Sequence, residues 1–209
     1  MEFYYGITSG NSLRTAFALR EIGLPHTAHA LHVPRGDSRT PDYLTLNPMG
    51  KVPALVDDGL VLWESNAINW YLAEKQPRAG LLAPSLAGRA RIQRWLFFQT
   101  GHVSPSCRAV YLQTNAQVQD FWGLRSDAES ADAGRAELRR YLLVLEAALA
   151  GREWLEGEFS LADIAYAPHL WMVAQGGFDF SAFPAVQAWF DRMQSRAAFQ
   201  ASVAMIFGK

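Results

Sequence analysis

Two adjoining features of the sequence, Val52-Pro53 and the residues from Glu64 to Asn66, could bind a peptide-like anion. The residue before a proline is biased towards an extended conformation. If the Val52–Pro53 bond is cis, the turn would hold the backbone N–H and C=O of Val52 away from the sheet, where they could pair with an extended ligand. Glu64, Ser65 and Asn66 open a helical pattern whose first N–H groups and positive dipole end suit a carboxylate. A hairpin leading into a capped helix, with no ligand at all, would produce the same spacing.

The elements around these residues are predicted by local turn and hairpin signals. Asn47-Pro48 and Met49-Gly50 have turn chemistry, and Pro53 suits only the start of a strand. Two short apolar runs follow, separated by Asp57-Asp58-Gly59, and Asp-Gly is the strongest short hairpin signal. The stretch therefore predicts a hairpin of strands 54–56 and 60–63, followed by a helix that begins at Ser65.

The run NPMGKVPAL, followed by a hairpin and then ESNAINWYL, resembles the glutathione-binding core of the cytosolic glutathione transferases. The resemblance extends over nearly the whole chain. It implies that Val52, before a cis Pro53, pairs with the cysteinyl backbone of glutathione, while Glu64 and Ser65 hold the γ-glutamyl end. Lys51 would lie near the glycyl carboxylate. The implied reaction joins the glutathione thiolate to a small hydrophobic electrophile, with glutathione as co-substrate, no further cofactor and a homodimeric enzyme.

The loop between the first strand and the first helix contains the residues expected to contact the thiol. Ser9 would donate a hydrogen bond to the thiolate, with the helix dipole in support and Asn11 as its helper. Ser12 is the main competitor for this role, since a shift of one residue in the loop alters the assignment. Asn11 or Ser12 could equally serve only as the helix cap. The loop contains serine and no cysteine, and in this it resembles the loop of the serine-type or bacterial members of the family.

Composition and charge exclude several other classes of protein. The 209 residues are half apolar and 19% charged, with a formal net charge of −1, which favours neither nucleic acid nor an anionic membrane as partner. Cys107 is the only cysteine, so no internal disulfide can form. The His26, His29 and His32 spacing alternates faces of a strand, which argues against a metal site. The N-terminus lacks a signal-peptide pattern, and we expect a cytoplasmic protein.

The order of elements predicts two domains. Residues 1–77 read as strand, helix, strand, short helical segment, hairpin and helix (βαβ-α-ββα), an α/β thioredoxin-like domain with a mixed sheet. A Pro- and Gly-punctuated linker covers about 78–87. Residues 88–209 form an all-α helical bundle domain, in which Pro105 bends or interrupts the first long helix. Ser160 and Asp163 have capping-box spacing, and the family resemblance implies that this aspartate is a folding element.

A second-substrate pocket is expected on one face of a helix in the second domain. Ser104, Cys107, Arg108 and Tyr111 follow one another at helical spacing and would line a mixed polar and apolar surface. Cys107 and Tyr111 could equally be ordinary core residues. Two other functions remain open on the same scaffold: a glutathione-dependent disulfide reductase or lyase, and a transferase-like binding module without catalysis.

Overall fold

The computed structural model describes residues 1–208, which divide into two compact units. The N-terminal unit comprises residues 1–79 together with residues 197–208, and the helical unit spans Gly80–Arg196. The elements as far as α3 follow the predicted order: β1 Glu2–Gly6, α1 Gly10–Ile22, β2 Thr27–Leu31, α2 Pro41–Leu46, β3 Ala54–Asp57, β4 Leu60–Trp63 and α3 Ser65–Lys75. The unit also contains α10 Ala197–Phe207.

The four strands of the N-terminal unit form a mixed sheet in the order β2-β1-β3-β4. β1 pairs with β2 in parallel, across the crossover helix α1, and pairs with β3 in antiparallel fashion. β3 and β4 form the predicted hairpin, in which Asp57 pairs with Leu60 and the turn residues Asp58 and Gly59 both have positive φ. The predicted α/β thioredoxin-like fold with a mixed sheet is confirmed.

The helical unit is also confirmed as all-α. Its helices are α4 Leu86–Phe98, α5 Ser104–Thr114, α6 Ala116–Trp122, α7 Ala128–Leu149, α8 Leu161–Gln175 and α9 Pro184–Ser195. A π-helical segment, Gln99–Val103, joins α4 to α5 just before Pro105. Proline has no N–H to donate to the carbonyl four residues earlier, so the widened turn accommodates the interruption that Pro105 predicts.

The last helix departs from the sequence-based domain division. We expected residues 88–209 to form one domain, yet α10 belongs to the N-terminal unit. Its Phe199 ring packs edge-to-face on Phe17 of α1, with ring centroids 5.2 Å apart. Apolar residues on α10 show that the helix needs a partner surface, but they do not specify which one, so the sequence could not assign it.

A buried aspartate organises the core of the helical unit. Ser160 caps α8 in the predicted capping box, and the side chain of Asp163 accepts the Ser160 N–H at 3.0 Å. Asp163 also accepts hydrogen bonds from the Leu155 N–H at 3.1 Å and from the Trp189 indole at 2.9 Å. Burial raises the pKa of Asp163 to about 6, despite these donated hydrogen bonds, which lower it. The cap thus joins α8, the preceding loop and α9.

Candidate active site

The loop before α1 leaves its serine hydroxyl able to donate. Ser9 is the N-cap of α1, and its Oγ accepts the Ser12 N–H at 3.2 Å while its carbonyl accepts the Leu13 N–H at 2.9 Å. Within residues 1–208 the Ser9 hydroxyl proton has no acceptor. The N–H groups of Gly10 and Asn11 likewise find no acceptor there, as expected for the first turn of a helix. These donors, with the helix dipole, suit an anion such as a thiolate.

Asn11 and Ser12, the other two residues expected at the thiol, differ in exposure. Asn11 is exposed. Ser12 is fully buried, and its Oγ accepts the Gly6 N–H at 2.9 Å. Ser12 therefore ties the end of β1 to α1 beneath the loop, which differs from the expectation that it contacts glutathione directly.

The Val52–Pro53 bond is cis, as the family resemblance implies. No backbone hydrogen bond of Val52 occurs in the described part of the chain, so its N–H and C=O are unused by the sheet. The preceding carbonyl, of Lys51, accepts the Tyr43 hydroxyl at 2.6 Å and the Asn47 side-chain amide at 2.8 Å. Burial raises the pKa of Tyr43, which keeps it a hydrogen-bond donor at neutral pH. Two donors thus fix the Lys51 carbonyl, while the backbone N–H and C=O of Val52 remain available.

Gly6 brings this turn against the Ser9 loop. A Cβ built on Gly6 would lie 2.5 Å from Cγ2 of Val52 and 3.4 Å from Cβ of Ser9. Only a residue without a side chain permits this approach. Ser9 and Val52 are thus neighbours in space, although 43 residues separate them in sequence.

The start of α3 combines an unusual backbone with a buried cation. Glu64 is exposed and precedes the helix with φ 71° and ψ 109°, a sparsely populated conformation that often occurs at ligand sites. Ser65 is buried, and its Oγ accepts a hydrogen bond from Nη1 of Arg14 at 2.8 Å. The carbonyl of Arg14 accepts the Asn69 side-chain amide at 3.4 Å. These bonds join α1 to α3.

Arg14 is a functional candidate that sequence reasoning missed. The arginine is 3% exposed, so its charge lies within the unit, directly behind Ser65. Arg14 fixes the Ser65 hydroxyl, and the helix N-termini at Ser9 and Ser65 each suit an anionic end of a peptide. The signal in the sequence is that Arg14 lies among Leu13, Ala16 and Phe17, the apolar positions of the helix.

The four residues expected to line a second-substrate pocket do not lie on one surface. Ser104 and Arg108 line an open depression of about 370 Å³ together with Pro105, Ala109 and Leu112. Cys107 is fully buried and Tyr111 is 8% exposed, so both belong to the core of the helical unit. Positions spaced by four residues share the depression, and the adjacent stripe of the same helix faces the core.

Within residues 1–208, no three His, Cys, Asp or Glu side chains are grouped so that they could hold a metal ion. The same residues include no helix that is both long and apolar enough to cross a membrane.

Comparison with known proteins decides the family. Residues 8–75 match the glutathione S-transferase N-terminal domain, and residues 102–197 match the glutathione S-transferase C-terminal domain. Glutathione S-transferase 3 of Zea mays is 36% identical, over 97% of this chain and 93% of the relative. The chain belongs to the glutathione S-transferase family. Among bacterial relatives of this transferase, GstB of Escherichia coli K12 is 31% identical, over 91% of each chain.

A solved structure of a related transferase shares the fold over its whole length. Glutathione S-transferase-I bound with lactoylglutathione has a TM-score of 0.88 and 28% identity, covering 98% of each chain. That protein binds a glutathione derivative. The fold, the two domain matches and the curated relatives agree that this chain is a glutathione transferase.

Proposed function

We propose that this glutathione transferase binds glutathione on its N-terminal unit and stabilises the thiolate with Ser9. The N–H and C=O of Val52 pair with the cysteinyl backbone, as one strand pairs with another. Glu64 and Ser65 hold the γ-glutamyl end, with Arg14 behind Ser65. Lys51, which is exposed, binds the glycyl carboxylate. The observation that carries the proposal is the Ser9 hydroxyl, whose oxygen accepts the Ser12 N–H and whose proton is free.

The Ser9 hydroxyl and the N-terminus of α1 can stabilise the thiolate by the energy that is required. A free thiol has a pKa of about 8.5, so only a few per cent is thiolate at neutral pH. Lowering that pKa by about two units requires about 2.7 kcal/mol. A charge-assisted hydrogen bond from Ser9, added to the N-terminal field of α1, supplies an energy of that size.

The reaction then needs no covalent bond to the protein. The thiolate sulfur attacks an electrophilic carbon, a C–S bond forms, and the leaving group departs with the bonding electron pair, or the electrons move onto a conjugated acceptor. The enzyme contributes the thiolate population and the fixed position of the sulfur. Ser9 donates a hydrogen bond throughout, and it does not lose its proton.

The test compares the parent with Ser9→Ala. Glutathione binding is measured by calorimetric titration, and the bound thiol pKa by thiolate absorbance against pH. We expect Ser9→Ala to bind glutathione with a dissociation constant within about threefold of the parent and to raise the bound thiol pKa by about one to two units, because the field of α1 remains. Conjugation of an aryl halide near pH 6.5 should fall roughly five- to fiftyfold.

Two further variants make that test specific. Glu64→Ala should weaken glutathione binding and leave the bound thiol pKa unchanged, because Glu64 lies at the other helix N-terminus. Ser12→Ala serves as the matched serine-to-alanine control in the same loop. An unchanged pKa in Ser9→Ala beside a raised pKa in Ser12→Ala would reassign the thiol contact to Ser12.

For the electrophile we propose the depression lined by Ser104 and Arg108. Its apolar members, Pro105, Ala109 and Leu112, suit a small hydrophobic body, and its volume of about 370 Å³ suits a small molecule. Leu112→Trp should raise KM for bulky aryl substrates while glutathione affinity stays unchanged. Equal effects on small and bulky electrophiles would place the second substrate elsewhere.

We also propose that the transferase is a cytoplasmic homodimer. Large apolar side chains are exposed on each unit: Met49, Leu60, Val61 and Trp63 on the first, and Leu86, Phe97, Leu143 and Val144 on the second. Exposed apolar surface of this kind favours association with a second copy. Sedimentation of the parent should give twice the 23.3 kDa chain mass, and Trp63→Glu or Phe97→Glu should shift it towards monomer. A parent that sediments as a monomer would overturn the proposal.

A further inference from the structure

Thr8 has a backbone conformation that threonine rarely adopts. Its φ is 58°, in the left-handed region, where a branched Cβ crowds the backbone. A residue keeps such a conformation only where its surroundings hold it there. Because Thr8 directly precedes Ser9, its backbone angles set the direction in which the Ser9 side chain leaves the loop.

The C-terminal end of α10 holds Thr8 in this conformation. The Thr8 N–H donates to the carbonyl oxygen of Ile206 at 3.0 Å. Ile206 lies in the last turn of α10, where carbonyl groups have no donor within the helix. Thr8 is 4% exposed and Ile206 is 1% exposed, so this bond satisfies two buried backbone groups that would otherwise lack partners.

α10 is in turn fixed along α1, the helix that Ser9 caps. Phe199 packs on Phe17 near the start of α10, and Nη2 of Arg20 donates to Sδ of Met205 at 3.4 Å near its end. The Ile206 carbonyl therefore has a defined position relative to the loop.

The side chain of Thr8 does not explain this arrangement. Its Oγ1 is buried and makes no hydrogen bond within residues 1–208. The main chain of Thr8 makes the contact, and the branched side chain only fills buried space. A residue of the same shape without a hydroxyl should therefore serve equally well.

We propose that Thr8 is a positioning residue for the Ser9 hydroxyl, and that the end of α10 acts on the bound thiolate through the Thr8–Ile206 hydrogen bond. The proposal rests on the thiolate role of Ser9 proposed above. In that proposal, glutathione affinity depends mainly on Val52, Glu64 and Ser65. A substitution that frees the backbone of Thr8 should therefore raise the pKa of the bound thiol. The dissociation constant for glutathione should stay largely unchanged.

The first experiment compares Thr8→Gly with Thr8→Val. Glycine adopts both signs of φ and lets the loop explore other directions, whereas valine keeps the branched shape. We expect Thr8→Gly to raise the bound thiol pKa by about one unit and to lower conjugation below that pKa about tenfold. Its dissociation constant for glutathione should stay within about twofold of the parent. Thr8→Val should match the parent in all three measurements.

The second experiment changes Ile206, the other partner in the hydrogen bond with Thr8. Ile206→Gly loosens the last turn of α10. Val203→Gly is the matched control on the same helix, three residues earlier, with no hydrogen bond to the loop among residues 1–208. Ile206→Gly should raise the bound thiol pKa as Thr8→Gly does, and the double variant should add little, because both act through one hydrogen bond. Val203→Gly should lower the melting temperature and leave the pKa unchanged.

Amide hydrogen exchange separates this proposal from the proposed function. The Thr8 amide should exchange slowly in the parent and faster in Ile206→Gly, whether or not glutathione is present. An unchanged thiol pKa in Thr8→Gly, or an equal rise in Thr8→Val, would overturn the positioning role. A parent that does not lower the thiol pKa would overturn the proposed function instead, and the exchange result would still report on the Thr8–Ile206 contact.

Discussion

Ser9 and Ser160 each cap the N-terminus of a helix, but their surroundings give the two caps different capacities. Ser160 is buried, and its N–H and hydroxyl both lie within hydrogen-bond distance of the Asp163 carboxylate. Ser9 is only half-buried, no carboxylate faces it among the described residues, and its proton remains free to be donated. A satisfied helix end stabilises the fold, while an end with unused donors can bind an anion.

The same contrast distinguishes the two acidic residues near helix starts. Asp163 is fully buried and accepts hydrogen bonds from three parts of the helical unit. Glu64 is exposed, makes no capping hydrogen bond and has a strained φ of 71°. Strain at a residue whose side chain makes no hydrogen bond within residues 1–208 favours a contact with ligand. We therefore expect Asp163 variants to affect stability and Glu64 variants to affect binding.

The largest effect we predict is a loss of stability in Asp163→Ala. The substitution leaves the N–H groups of Leu155 and Ser160 and the Trp189 indole buried without their acceptor. We expect the free energy of unfolding to fall by about 3–5 kcal/mol, measured by urea denaturation. Folded Asp163→Ala, kept at low temperature, should still lower the thiol pKa of bound glutathione. A loss below 1 kcal/mol would mean that the closed cap is not a major support of the fold.

The second prediction concerns the pH dependence of stability. Burial raises the pKa of Asp163 from its ordinary 3.8 to about 6, so between these values the folded state binds more protons than the unfolded state. The Asp163 contribution to the free energy of unfolding should therefore decrease as pH rises from about 4 to 6, by up to about 3 kcal/mol. Asp163→Asn has no such titration, and the difference between the two pH profiles isolates the effect. Parallel profiles would contradict the raised pKa.

These contrasts also indicate what sequence reasoning can and cannot reach. The Val52–Pro53 turn, the Asp58-Gly59 hairpin and the Ser160 capping box were predictable because each depends on residues within a few positions of one another. Arg14 was missed because its partner Ser65 is 51 residues away, and only the packing of α1 on α3 brings them together.

Two further features depended on tertiary structure in the same way. The assignment of α10 to the N-terminal unit rests on contacts such as Phe17 with Phe199, for which the local sequence has no signal. The burial of the α5 faces stayed open because helical spacing shows which residues are neighbours, but not which stripe is buried. Ser104 and Arg108 therefore line a surface depression, while Cys107 and Tyr111 lie in the core.

The third prediction compares the two serine caps directly. Ser9→Ala and Ser160→Ala should each lower the free energy of unfolding by about 1 kcal/mol, the ordinary value of an N-cap side chain. Only Ser9→Ala should raise the thiol pKa of bound glutathione, because only that cap has a free donor. Thermal unfolding and thiolate absorbance, measured on the same samples, decide the comparison. A shifted pKa in Ser160→Ala would show that the thiolate responds to general loosening of the protein.

The smallest effect we predict is that of Asn11→Ala. Asn11 is exposed in the first turn of α1, and its side chain makes no hydrogen bond in the described chain, so the substitution should leave stability within about 0.5 kcal/mol. Its backbone N–H remains available to the thiolate whatever the side chain. If the side-chain amide adds only a water-exposed hydrogen bond, kcat/KM should fall no more than about threefold. Steady-state rates for both variants will test whether Asn11→Ala lowers kcat/KM less than Ser9→Ala does. A fall in kcat/KM for Asn11→Ala as large as that for Ser9→Ala would make the Asn11 side-chain amide an equal donor to the sulfur. Stabilisation of the thiolate would then be shared between the cap residue Ser9 and the first turn of α1.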